Sequence, residues 1–250
     1  MDPVDYNFAH SISVFGSTGK TGEVLEARDF ALSNSKAPIA EFNQSILKTP
    51  RYKLARTLER VFDFYGRAKV PFRVHVTIDD AAITSELLAR GFTRALDLPC
   101  MVFQGARCEA PEVPGLHIGT VRDDEGLADF QRVAFEGFGY PVEIAPMALT
   151  SDLIALPHFT AYVGYVNGAP AACSATITTG DITGIYWVST LAAHRKLGLG
   201  AALTAHATNE GLARGAKAVC LQASKMGFPV YQRIGFSHPR TYLRFDHASL

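Results

Sequence analysis

No two cysteines of this 250-residue chain stand in a CxxC spacing, and only Cys100, Cys108, Cys173 and Cys220 are present. A disulfide framework or a zinc site therefore lacks material, and scattered free thiols fit a reducing compartment such as the cytoplasm. An excess of either charge is missing as well. Lys+Arg and Asp+Glu are equal at 24 each, so no basic footprint points to nucleic acid. No run of about 18 uninterrupted apolar residues occurs, so nothing reads as a membrane span. The opening MDPVDYNFAH carries acids where a secretory leader needs bases and an apolar run. What the chain does have is core: 48% hydrophobic and 19% charged residues, enough for one large or two small globular domains.

Residues 15–23, FGSTGKTGE, contain Gly19-Lys20-Thr21, the tail of a phosphate-binding P-loop. That motif requires a glycine five positions before the Gly-Lys pair, between a strand and a helix. The required glycine is Val14, and EVLEARDFAL after it reads as a half-buried strand. The stretch is therefore expected to be a glycine-rich turn joining a strand at 10–15 to one at 23–32.

Residues 104–114 are rich in Gly and Pro and read as a linker. On either side a faint repeat appears. ELLARGF ends at Phe92 and VYQRIGF at Phe236, each preceded by an apolar strand (FRVHVTI, 72–78; AVCLQAS, 218–224) and followed by another (LPCMVF, 98–103; TYLRF, 241–245). The expected organisation is two related α/β domains, at 1–105 and 115–250, with a linker at 106–114. In the second, a strand at 116–122 leads to a helix capped by Asp123 or Asp124, with Leu127, Phe130, Ala134 and Phe138 on one face. A short helix is expected near 147–156. Three antiparallel strands follow, turning at Asn167-Gly168 and Gly180-Asp181.

The third strand, GIYWVSTL, runs into HRKLGLG, and an Ala-rich helix follows at once. This has the physics of an anion site. Gly198 and Gly200 let the backbone approach a ligand closely. Amides of the loop and first helical turn lack helical partners, and the helix dipole adds positive character there. Arg195 and Lys196 add full charges.

In this segment the chain resembles the GNAT superfamily of acyl-CoA-dependent N-acyltransferases. The signature Arg/Gln-x-x-Gly-x-Gly/Ala is met by Arg195, Gly198 and Gly200, after a three-stranded meander and before a helix. Further on, Ser224 and then Tyr231, three residues and Gly235-Phe236 match a later family element. The resemblance covers about 115–250 well and 37–103 roughly. It implies an α/β (α+β) fold with a mixed, mostly antiparallel sheet flanked by helices, and acetyl-CoA as co-substrate. It also implies roles. Backbone groups of Val188, Ser189 and Thr190 would bond the pantetheine arm. Amides of Lys196, Leu197, Gly198, Leu199, Gly200 and Ala201 would cradle the pyrophosphate beside Arg195. Ser224 would contact the arm, and Tyr231 would give a proton to the departing thiolate. Trp187 and His206 read as packing residues, and Cys173 and Cys220 as buried thiols, so no acyl-enzyme is expected.

Acyl transfer needs a neutral amine. Deprotonating a lysine-like amine at pH 7 costs about 4.6 kcal/mol, and an α-amine about 1.4. Many relatives keep a Glu on the strand before the loop, yet GIYWVSTL has no carboxylate. The base stays open between Glu136, Glu143 and Tyr186 acting through water, and Tyr140 joins them in walling the acceptor site. The expected activity is transfer of acetyl by direct attack of a primary amine, small or amino-acid-like. A non-catalytic acyl-CoA-binding regulatory module and a protein N-acetyltransferase are the alternatives. In the first half, Leu87 stands where Tyr231 would be, and Leu54 and Arg56 replace the two loop glycines after Arg51, so that half reads as an inactive copy.

Overall fold

The computed structural model describes residues 2–18, 22–48, 53–77, 80–109 and 111–248. The chain divides into two compact units, Met1–Leu98 with Thr241–Leu250, and Pro99–Arg240. Residues 99–103 thus belong to the second unit and residues 241–250 to the first. The Gly/Pro-rich stretch 104–114 lies inside the second unit.

The first unit opens with α1 (Pro3–Ser17), where a strand at 10–15 was expected. Asp2 caps it by accepting from Val4 N (2.9 Å), and Pro3 occupies its first turn. HSISVF alternates like a strand, but Val4, Phe8 and Ile12 fall four apart and all three are buried. Ser11 and Ser17 donate back to the carbonyls of Phe8 (2.8 Å) and Val14 (3.1 Å), which satisfies hydroxyls that otherwise disfavour a helix. The expected single strand at 23–32 is a hairpin, β1 (Glu23–Ala27) and β2 (Phe30–Asn34). Gly19, Lys20 and Thr21 lie outside the described residues. Their flanks run helix then strand, the reverse of a P-loop.

Next come β3 (Gln44–Leu47), α2 (Leu54–Gly66), β4 (Phe72–Val76), α3 (Ala81–Ala89) and the short β5 (Thr93–Arg94). β3 pairs with β4 in parallel, and residues 243–247 of the last strand, β12 (Ser237–His247), pair antiparallel with β4. One sheet face packs Phe72, Val74, Val76 and Leu243 with Leu54, Leu58 and Val61 of α2. Leu54 is thus a core residue. Arg51 lies outside the described residues.

In the second unit β6 (Leu98–Phe103) is followed by β7 (Leu116–Thr120), α4 (Asp124–Phe138), α5 (Ala145–Ala148) and α6 (Ser151–Ile154). The one short helix expected at 147–156 is therefore two. Asp123 caps α4 by accepting from Gly126 N (2.8 Å). The meander is β8 (Phe159–Val166), β9 (Ala169–Thr179) and β10 (Ile182–Thr190). Then come α7 (Leu199–Ala213), β11 (Ala218–Gln222) and α8 (Phe228–Arg233). The sheet order is β7-β8-β9-β10-β11-β6, antiparallel throughout except for the parallel β10–β11 pair. α7 buries Leu199, Leu203, Ala207 and Thr208, as expected of a helix apolar on most sides.

Candidate functional site

β10 and β11 stay paired only from Ile182↔Ala218 to Ile185↔Leu221. Past that point β10 runs five residues further with β9 alone, so the parallel strands part. On the β9 side the register advances three residues on β10, Tyr186 to Ser189, against two on β9, Ala175 to Cys173. The extra residue is a bulge centred on Trp187, whose φ is +54°. Bulges re-aim side chains, and this one interrupts the in-out alternation of β10 at Trp187. Tyr186, Trp187 and Val188 are all half-buried.

The Trp187 ring stacks on buried Phe135 (5.6 Å, 13°) and meets Phe138 edge-on (5.9 Å, 80°). Tyr140 lies against both phenylalanines, 6.0 Å from Phe135 and 6.2 Å from Phe138. These rings form an aromatic wall where the end of α4 meets the bulge, and Phe138 is 47% exposed. Trp187 packs, as expected, but the bulge and the wall that it completes were not visible in the sequence. The aromatic run from Phe135 to Tyr140 was the wall's one trace there.

After β10 a single 3-10 turn (Ala192–His194) leads to the loop. Lys196 (φ +66°) and Gly198 (φ +87°) are left-handed, and Gly198 is the N-cap of α7. The first bond into the helix is Ala202 N to Gly198 O (3.0 Å). Among the described residues, the amides of Lys196 to Ala201 donate to no protein acceptor. Six unanswered donors at a helix start, beside two cationic side chains, suit a diphosphate. A Cβ on Gly200 would meet only Thr190 Oγ1, at 3.8 Å, so loop and strand end are neighbours.

Tyr231 sits on α8 in the unit's core. Burial pushes its phenol up to about 12, with the Thr204 hydroxyl acting in the opposite direction. Thr204 also donates to Gly200 O (2.7 Å), which links the phenol, α7 and the glycine loop. Ser224 lies on the turn after β11, where its hydroxyl accepts from Gly227 N (3.1 Å). Glu136 and Glu143 are exposed, and among the described residues their carboxylates make no ion pair. His206 packs edge-on against Tyr162 (4.9 Å, 86°), and burial lowers its pKa. Cys173 is buried and donates to Trp187 O (3.2 Å), and burial raises its pKa strongly, which makes it a poor nucleophile.

Residues 162–245, which hold most of the meander, the glycine loop, α7 and Tyr231, match the family model of FR47-like proteins. The GCN5-related N-acetyltransferase from Kribbella flavida superposes with a TM-score of 0.73 at 17% identity, over 98% of this chain and 95% of its own. The fold is of the GNAT type. The GCN5-related N-acetyltransferase from Sphaerobacter thermophilus aligns with a TM-score of 0.66 at 14% identity, covering 90% of this chain and 84% of its own. A tandem GNAT protein from the clavulanic acid biosynthesis pathway aligns with a TM-score of 0.58 at 14% identity, over 97% and 94%. No curated protein sequence matches. The family match is confined to residues 162–245, and over the rest of the chain the likeness is one of fold. At these identities the structural likeness establishes the fold, not the acceptor. No helix among the described residues is long and apolar enough to cross a membrane.

Proposed function

We propose that the second unit transfers an acetyl group from acetyl-CoA to a primary amine, small or amino-acid-like, by direct attack and without an acyl-enzyme. The observation that carries this reading is the row of unanswered amides from Lys196 to Ala201 beside the parted strands β10 and β11. Those amides hold the pyrophosphate. Backbone groups of Val188 to Thr190, beyond the last β10–β11 pair, receive the pantetheine arm as a strand would, and Ser224 flanks it. The amine nitrogen attacks the thioester carbon, the C–N bond forms and the C–S bond breaks. The Tyr231 phenol, protonated throughout the neutral range at a pKa of about 12, donates to the sulfur as charge develops there. The aromatic wall and Tyr186 face the acceptor, and Glu136 or Glu143 at its rim accepts the ammonium proton through water. Burial of all four cysteines, with none in a disulfide, suits the cytoplasm. The first unit acts as a structural copy, since Leu87 and Leu54 are core residues where the active half has Tyr231 and a loop glycine.

The test is turnover of acetyl-CoA against a panel of primary amines, followed as free thiol. Acetylated product with a small amine supports the reading, and product with peptides only favours the protein N-acetyltransferase. Tight CoA binding without product from any amine would make the chain a non-catalytic acyl-CoA-binding module.

A further inference from the structure

Arg195 opens the glycine loop, yet its guanidinium is occupied elsewhere. Nη2 donates to Gly137 O at 2.7 Å and Nε to Thr190 O at 3.2 Å. The two carbonyls belong to different walls of the site. Gly137 is in the last turn of α4, whose final carbonyls have no helical partner and carry the negative end of the helix dipole. Thr190 is the last residue of β10, beyond the bulge. The walls lie close together at this point. A Cβ on Gly137 would lie 1.9 Å from Ser189 Oγ, and that hydroxyl donates to Val133 O (3.1 Å). Phe138, next to Gly137, is the ring that meets Trp187.

We propose that Arg195 is a positioning residue that ties the aromatic wall at the end of α4 to the end of β10, rather than a ligand of the pyrophosphate. The proposal rests on the acyl-CoA reading for its kinetic consequence but not for its geometry. The planar fork reaches the two carbonyls from two separate nitrogens, Nη2 and Nε, in one fixed geometry. A lysine keeps the charge but concentrates it at one point. Substitution by lysine therefore separates the roles. A phosphate ligand is largely replaced by Lys, and a two-carbonyl clamp is not.

Trp187 is the chain's only tryptophan and stands in the wall, so its emission reports this seam without turnover. Arg195→Lys and Arg195→Gln are compared in the full chain by Trp187 emission and acrylamide quenching, CoA calorimetry and steady-state kinetics. In both variants emission shifts to the red, quenching rises, CoA affinity changes by less than about threefold and the amine KM rises about tenfold. The opposite pattern overturns the proposal: emission unmoved, and CoA affinity lost in Arg195→Gln but restored in Arg195→Lys. The double variant Phe138→Ala/Arg195→Lys gives a second reading. Its emission matches Phe138→Ala alone if Arg195 acts through the wall, and fully additive shifts refute that. Absence of CoA binding in the unsubstituted protein defeats the acyl-CoA reading and leaves the fluorescence comparison to judge the clamp.

Discussion

Gly198 and Gly200 stand two residues apart in one loop, and a single methyl added to each has opposite consequences. Gly198 is left-handed at φ +87°, where an L side chain costs about 1–2 kcal/mol. Its new Cβ would lie 3.4 Å from Pro111 Cγ and from Val113 Cγ2, the near edge of ordinary contact, so packing adds little and conformation dominates. Gly200 lies in the first turn of α7 without a positive φ, and its nearest atom would be Thr190 Oγ1 at 3.8 Å. There alanine improves helix propensity, by up to about 1 kcal/mol. Gly198→Ala is therefore expected to destabilise and Gly200→Ala to stabilise, separating the two by about 1–3 kcal/mol. Binding separates them too. If the loop relaxes to relieve the alanine at 198, the amides from Lys196 to Ala201 lose their common aim and CoA affinity falls by about tenfold or more. Gly200→Ala leaves the amides in place and keeps binding. Urea denaturation measures the first quantity and calorimetry with CoA the second. A Gly198→Ala protein with parental stability and parental CoA affinity would refute the argument, since the left-handed turn would then be dispensable.

Tyr231→Phe should lower kcat by about 10²–10⁴-fold while CoA still binds, and the parent's rate should show no falling limb up to pH 10, because an acid with a pKa of about 12 stays protonated there. A limb near pH 8–9 that vanishes in Tyr231→Phe would contradict this. His75 of β4 is buried, with Nε2 2.8 Å from Gln44 Oε1, and burial lowers its pKa well below the usual value, with Arg73 and Arg244 adding to the effect. The folded state resists protonation while the unfolded chain takes a proton below about pH 6.5, so stability falls with falling pH by up to about 1.4 kcal/mol per unit. In urea titrations from pH 7.5 to 5, His75→Gln should show a shallower loss, and an unchanged slope would rule His75 out. Gly137→Ala drives a Cβ to 1.9 Å from Ser189 Oγ and 3.2 Å from Thr190 O, so a loss of about 1–3 kcal/mol is expected in thermal or chemical unfolding. Parental stability in that variant would mean that the α4–β10 seam is looser than its geometry.

Patterns confined to short stretches of chain were legible before any fold was known. Asp123 as a helix cap, the turns at Asn167-Gly168 and Gly180-Asp181, the strand leading into HRKLGLG, and Tyr231 ahead of Gly235-Phe236 are local signals, because caps, turns and alternation depend on neighbours within a few residues. Where two local patterns compete, the sequence alone decided wrongly. HSISVF fits a strand by alternation, but burial of Val4, Phe8 and Ile12 against the sheet made it helix. What no local rule contains is contact across distance. The bulge at Trp187 arises from register against β9, and the aromatic wall forms because α4 packs on that bulge. Arg195 finds Gly137 across 58 residues of chain. The amino-acid sequence thus determined the glycine-softened helix start and its free amides. Tertiary packing decided what faces them, because side-chain partners far apart in the chain are selected by shape and burial in the closed fold.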